Sequence, residues 1–267
     1  MFRSVMASAR ALVLLDNVAD EAQVRPLLSA SPRCMTIITS RSVLSGLEGA
    51  KGLILDVPPA NEALQLLRHV IGDRRADAEE PTARQEVRLC AGLPLAIRVA
   101  GARLAARPAW PVEELARRLG DDHCRLAELA AGDLEVRAAF GPSYSALDPP
   151  ARRVFRQLGL IGSADFRIEQ AAAIADLSAA AVQSILERLA DLSLVQPIAP
   201  GRYRMHDLLR LYAAECGREE QADEVRAQPH ADKSASSAAY DRPAGLRSRR
   251  LLGDLRPRCR FAVLPPA

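Results

Sequence analysis

The chain has 267 residues, more than one domain usually holds, so two or three compact units are expected. Hydrophobic residues make up 49% and charged residues 26%, the balance of a soluble globular protein, which excludes a fibrous or membrane-embedded chain. The formal charge of +3 hides an asymmetry: from Arg226 onward there are nine Lys/Arg against three Asp/Glu, leaving a slightly acidic body of 27 against 30.

At the amino end Met1-Phe2-Arg3 could open a signal peptide. Arg10 interrupts the apolar stretch, however, Asp16 closes it and no small-residue cleavage site follows, so a cytoplasmic chain is expected. No apolar run approaches the ~18 residues that a spanning helix requires. Ala11 to Asp16 is a continuous apolar run ended by a carboxylate, the pattern of a strand buried on both faces of a parallel sheet. Cys34 to Thr39 and Leu53 to Val57 are further strand-sized runs, with Gln23 to Leu28 helix-like between the first two. Strands separated by helical pattern predict a small α/β unit over residues 1–58.

From Ala60 the period becomes helical: Ala63, Leu66, Leu67 and Val70 share a face, and Gly72 ends the pattern. Val87, Cys90 and Ala91 close a helix that stops at Gly92. Pro94 stands where a first-turn proline is tolerated, with Leu95, Ile97, Val99, Ala100 and Leu104 following. Pro111 opens another helix with Val112, Leu115 and Leu119 inward, completing a compact helical domain over 59–133. Leu134 to Leu147 is helical, and Pro149-Pro150 restart the chain into a helix carrying Val154, Phe155 and Leu158. Ile168 to Ile174 and Ala179 to Leu192, the latter capped by Ser178, give two more. Leu194 to Ile198, the turn Pro200-Gly201 and Arg202 to Met205 predict a hairpin, and Asp207 caps a last helix from Leu208 to Cys216. Three helices and a hairpin in that order are the layout of a winged-helix domain, here 134–217. Beyond it, 218–267 lose apolar periodicity and gain Pro, Ser, Arg and Ala, which predicts a disordered tail.

Cys34, Cys90, Cys124, Cys216 and Cys259 are odd in number and contain no Cys-x-x-Cys pair, which argues against a disulfide framework or a zinc site. Four positions offer chemistry. Asp16, at the carboxyl end of a strand, is where an α/β nucleotide-binding fold holds magnesium, although many parallel strands end in Asp only to begin a turn. Arg41 follows the next strand at the same edge, and its guanidinium fork suits phosphate oxygens; a surface arginine is the plain alternative. Gly92-Leu93-Pro94-Leu95 needs only a helix-ending glycine and a helix-starting proline, and His206 before Asp207 is explained as a turn residue.

Their order and spacing together carry more. Leu12-Val-Leu-Leu-Asp-Asn17 resembles the Walker B strand of the NB-ARC group of signal-transduction NTPases with numerous domains, and Thr36-Ile-Ile-Thr-Ser-Arg41 its sensor strand. Gly92-Leu-Pro-Leu-Ala96 resembles the GLPL motif and Met205-His-Asp207 the MHD motif. The resemblance runs from about Arg3 to Glu215 and is closest to large bacterial regulators of the SARP transcriptional-activator type. It implies that Asp16 coordinates magnesium, Arg41 senses the γ-phosphate, Pro94 contacts adenine and His206 touches the β-phosphate of bound ADP. It further implies an ADP/ATP-responsive switch whose partners are nucleotide and intramolecular or homotypic NB-ARC domains, with DNA engaged only through a missing upstream domain.

Two departures from the pattern matter. No Gly-x-x-x-x-Gly-Lys-Ser/Thr segment occurs, so the backbone cradle and lysine that grip phosphates are absent; the resemblance starts at the very beginning of the chain, as expected of a lost upstream portion or an internal start. Asn17 stands where relatives place a second acidic residue that activates water, so poor hydrolysis or none is expected. Three or four missing phosphate contacts at roughly 1.5–3 kcal/mol each would remove on the order of 5–10 kcal/mol. A micromolar site near about −8 kcal/mol then falls to millimolar or worse. Two competing readings are a winged-helix DNA-binding protein and an inactive truncated remnant. The first is weakened by the helix Ala179 to Leu192, where Arg188 is the only basic group.

Overall fold

A computed structural model describes residues 2–29 and 31–227. After a short helix α1 (Phe2–Met6), the first apolar run forms β1 (Leu12–Val18) and the second forms β2 (Met35–Ser40). The two pair in parallel, with Leu12 opposite Met35 and Leu14 opposite Ile37. Between them, Asp20 caps α2 (Glu21–Val24) by accepting from the Gln23 N–H at 3.0 Å, and a 3-10 turn (Arg25–Leu27) follows.

The expectation that β1 is buried on both faces is overturned. Leu12, Leu14 and Met35 are 65%, 64% and 63% exposed on one face, while Val13, Leu15, Thr36 and Ile38 on the other are half-buried. The reason is that the sheet has two strands and its outer face has no covering layer among the described residues. Leu53 to Val57 likewise forms no strand: with no neighbour to pair its backbone, Leu53, Ile54 and Leu55 stay more than 80% exposed.

The helical region begins with α3 (Ala60–Ile71), stopped at Gly72, whose φ of +88° leaves the helical region. A short helix α4 (Asp73–Ala78), not signalled by the sequence, leads into α5 (Glu80–Leu89), α6 (Pro94–Ala105) and α7 (Val112–Leu119). Helices α3, α5, α6 and α7 close on one another through Leu67, Val87, Ile97, Leu104, Leu115 and Leu119, all buried. The joint between α4 and α5 ties the other ends down. Arg75 donates to the carbonyls of Leu104 (2.7 Å), Arg107 (3.2 Å) and Trp110, and Glu79 accepts from the N–H groups of Val112 (3.0 Å) and Glu113 (3.2 Å). Thus Arg75 satisfies a last-turn carbonyl of α6 and two carbonyls of the connection after it, and Glu79 the first amides of α7, which Pro111 cannot cap.

A short α8 (Arg125–Glu128) and a two-residue ladder of β3 (Ala130–Ala131) with β4 (Leu134–Glu135) come next. The helix expected from Leu134 therefore starts two residues later as α9 (Val136–Ser145), because Leu134 and Glu135 are committed to the ladder. Then follow α10 (Pro149–Leu158), β5 (Asp165–Arg167), α11 (Ile168–Ala175) and α12 (Ala179–Asp191). Asp148 caps α10 and Ser178 caps α12, each accepting from an amide three residues on. The hairpin is β6 (Gln196–Ala199) with β7 (Arg202–Arg204), and the antiparallel order β5-β7-β6 adds a strand that the sequence did not announce.

The last helix, α13, runs from Asp207 to Ala227, well past the expected end at Cys216 and into the first ten residues assigned to a disordered tail. The rest of that expected tail, 228–267, lies outside the described residues. Rings of Phe140, Tyr144, Phe155 and Tyr212, with centroids 5.5–6.3 Å apart, join α9, α10 and α13. The buried core runs without a break from Ala63 on α3 to Ala213 on α13, and residues 1–226 form one compact unit.

Candidate functional site

Asp16, expected to end its strand, lies two residues before the end of β1, which runs on to Val18, and Arg41 directly follows β2. The pairing slips there by one residue, since Leu15 faces Ile38 but Val18 faces Ser40, so Asp16-Asn17 form a bulge. Asn17 takes a φ of +54°, a region asparagine tolerates better than most residues, and its N–H donates to Thr39 Oγ1 at 2.9 Å. Thr39 Oγ1 donates in turn to Asp16 Oδ1 at 2.5 Å, and Ser40 Oγ donates to the Val18 carbonyl at 2.8 Å. The bulge therefore fixes the Asp16 carboxylate against one hydroxyl and leaves it exposed. The sequence placed Asp16 and Thr39 at the same edge but gave no sign of the bulge, which arises from pairing geometry.

Arg41 turns away from that carboxylate: its Nη1 donates to the Ala139 carbonyl on α9 at 3.4 Å. Its backbone carbonyl accepts from Ser193 Oγ at 2.9 Å, and the Val43 N–H donates to the Asp191 carbonyl at 3.0 Å. The loop after β2 is thus clasped to the end of α12. Ser193 has a φ of +56°, so this clasp is made by a residue in the left-handed region.

Pro94 occupies the first turn of α6, as its missing N–H and fixed φ favour. Just before it Ala91 and Gly92 both take positive φ, +51° and +70°. His206, between β7 and α13, is largely buried and its Nε2 lies 2.9 Å from the Ala91 carbonyl. With a carbonyl as partner, Nε2 must carry the proton; Nδ1 is buried and has no hydrogen-bond partner among the described residues. Burial pushes the His206 pKa down, against the Ala91 bond and the nearby carboxylates of Asp207 and Asp56. Val57 approaches Gly92, where an added Cβ would stand 3.5 Å from the valine Cβ.

The structure thus brings the four residues together as two pairs: Asp16 with the strand leading to Arg41, and His206 with the turn leading to Pro94. No hydrogen bond or ion pair joins one pair to the other among the described residues. A cleft of about 370 Å³ lined by Arg137, Tyr144, Tyr212, Glu215, Cys216 and Glu219 lies elsewhere, and none of the four borders it. No cluster of three or more His, Cys, Asp or Glu able to hold a metal occurs among the described residues. Asp16 with Thr39 offers one carboxylate and one hydroxyl, which fits magnesium only in its usual manner, with phosphate and water completing the shell. None of the described cysteines is in a disulfide, and no described helix is long and apolar enough to cross a membrane.

On the DNA-binding alternative, Arg188 of α12 is paired with Asp148 at 2.6 Å and Arg204 of β7 with Asp165 at 2.5 Å. The basic group of the helix and one of the two on β7 are thus each neutralised by a carboxylate.

Fold and site together define a chain of mixed α/β and helical architecture whose conspicuous polar features are inter-element junctions rather than a closed catalytic cavity. No family model matches the chain. Regulatory protein AfsR of Streptomyces griseus is 46% identical over 226 residues, covering 85% of this chain and 23% of AfsR. Regulatory protein AfsR of Streptomyces coelicolor is 46% identical over 223 residues, covering 84% of this chain and 22% of that protein. The chain is therefore similar, over most of its length, to large bacterial regulatory proteins, and spans less than a quarter of each.

Proposed function

We propose that the chain is the switch portion of a SARP-type transcriptional regulator, an NB-ARC-like module that responds to ADP and ATP, with DNA contacted by parts of such a regulator beyond these residues. Similarity to AfsR supports the regulatory role. The order Asp16, Arg41, Pro94 and His206, with the motifs around them, supports the nucleotide reading. The single observation that carries it is the contact of His206 Nε2 with the Ala91 carbonyl across 115 positions of sequence. It sets the Met205-His206-Asp207 turn against the Gly92-Leu93-Pro94 turn, the two places at which this resemblance puts phosphate and adenine. When bound, magnesium would neutralise phosphate charge at Asp16; the chain's own groups would bind and orient.

Residues 59–133 would form the helical domain and 134–217 the winged-helix domain, docked intramolecularly through the Ala91 and Arg41 junctions. The module is a binding switch: Asn17 offers no general base, and the absent glycine-rich lysine loop predicts millimolar nucleotide affinity. Protein-observed NMR titration of the purified chain with Mg-ADP tests this. Millimolar shifts around Asp16, Arg41, Pro94 and His206, lost in His206→Ala, are expected. Shifts confined to other regions would overturn the reading, and micromolar affinity would overturn the expectation that the missing loop weakens binding.

A further inference from the structure

Helix α5 turns Ala83, Glu86 and Val87 inward, one helical face at spacings of three and four. Glu86 is wholly inaccessible, and no protein group donates to either of its carboxylate oxygens among the described residues. The charged and titratable groups around it are all committed elsewhere. Arg75, the cation that acts on Glu86, is spent on the carbonyls of Leu104, Arg107 and Trp110. Glu79 adds a like charge and is fixed on the first amides of α7. The Cys90 thiol, also fully buried, is held neutral by burial. Arg125 bonds the Leu119 carbonyl and Asp122. Helices α3 and α7, packed on α5, add no other group that acts on Glu86.

A carboxylate taken out of water without a donor or counter-ion takes up a proton instead, because the neutral acid loses far less on burial. We propose that Glu86 is a proton-binding site built into the helical core, neutral when the core is closed, whose ionisation loosens α5 and the Ala91–Pro94 turn that follows it. The path is short: the Glu86 carbonyl accepts the Cys90 N–H at 2.9 Å, and the residue after Cys90 is Ala91, whose carbonyl faces His206. This proton site exists whether or not nucleotide binds.

Burial, opposed by Arg75 and reinforced by Glu79, pushes the Glu86 pKa up to about 8 from 4.5. An acid whose folded pKa is raised keeps its full stabilising effect below the unfolded value and loses it as pH climbs towards the folded one. The working window is therefore pH 4.5 to 8. Thermal unfolding of the wild type and of Glu86→Gln across pH 5–8.5 tests this, the variant being a neutral group of similar shape. The Tm advantage of Glu86→Gln should widen by roughly 5–10 °C from the acid to the alkaline end. Parallel curves would show that Glu86 does not titrate on folding and would sink the proposal.

Should Glu86→Gln not fold, infrared spectroscopy of the Glu215→Gln protein decides. That background removes another carboxyl whose pKa is raised by burial. A protonated carboxyl band at pH 7 that disappears above pH 8, with faster amide exchange in α5 and the following turn after correction for intrinsic rates, supports the proposal. Absence of the band at pH 7 overturns it.

Discussion

His206 shows how much a single side chain can be asked to do. The sequence identified it as a turn residue or a phosphate contact; the structure gives it a carbonyl partner on a different helix pair and a buried, unpartnered second nitrogen. Because burial depresses its pKa below 6.5, the unfolded chain takes the proton first as pH falls. Stability at His206 is therefore present above pH 6.5 and declines as pH drops towards the folded pKa. Urea unfolding of the wild type and His206→Ala at pH 7.5 and 5.5 should show the variant less stable by about 1–2 kcal/mol at the higher pH, from the lost bond and packing. The gap should narrow at pH 5.5, where the unfolded imidazole is protonated and the folded one is not; a constant gap would show that folding does not lower the His206 pKa. Asp16 was read as the acid that ends its strand, but β1 continues to Val18, and the bulge that orients the carboxylate was not legible. Bulges depend on how a strand meets its partner, and neither strand carries that information alone.

Among elements, those with a strong period and a marked end were readable: α3 with Gly72, α6 with Pro94, α7 after Pro111, α12 after Ser178. Each of these ends reflects local backbone chemistry, which the sequence states directly. Elements made by partners were misread or missed. The run Leu53 to Val57 has strand composition and no neighbour, while Asp165–Arg167 has mixed composition and becomes a strand because β7 offers its edge. The candidate site was legible to the same degree, its residues named but their division into two junctions invisible.

Helix α13 was underestimated because its outward face after Cys216 is charged, although its inward face still packs on α10. Gly159, at the end of α10, makes that contact possible: an added Cβ would lie 2.5 Å from the Ala214 nitrogen and 2.9 Å from the Ala213 carbonyl carbon. Both obstacles are backbone and cannot rotate aside. Gly159→Ala should therefore cost about 1–3 kcal/mol of unfolding free energy, measured by denaturant titration. An unchanged midpoint would mean that α10 and α13 are not held this closely.

Across the whole described molecule, burial is unequally shared. The continuous core belongs to residues 63–213, whereas the described residues among the first 58 contribute only Val24 and Leu47 to the buried apolar set. Their ties to the rest are a few polar links, at Arg41, Val43 and Ser193, with Val57 close to Gly92. Parallel sheets persist where both faces are covered, and here Leu12, Leu14, Met35 and Ile37 form an apolar strip in register on the open one. Such a strip is an association surface in water, and the unpaired strand edges beside it add main-chain donors and acceptors. Light scattering of the purified chain should show mass rising with concentration. Leu14→Lys combined with Met35→Glu, placed on the exposed face where neither charge is buried, should return it towards a monomer with the helical core's melting transition unchanged. If the double variant associates as strongly as the wild type, the open sheet face is not what brings the chains together, and the exposed run Leu53 to Leu55 becomes the surface to alter instead.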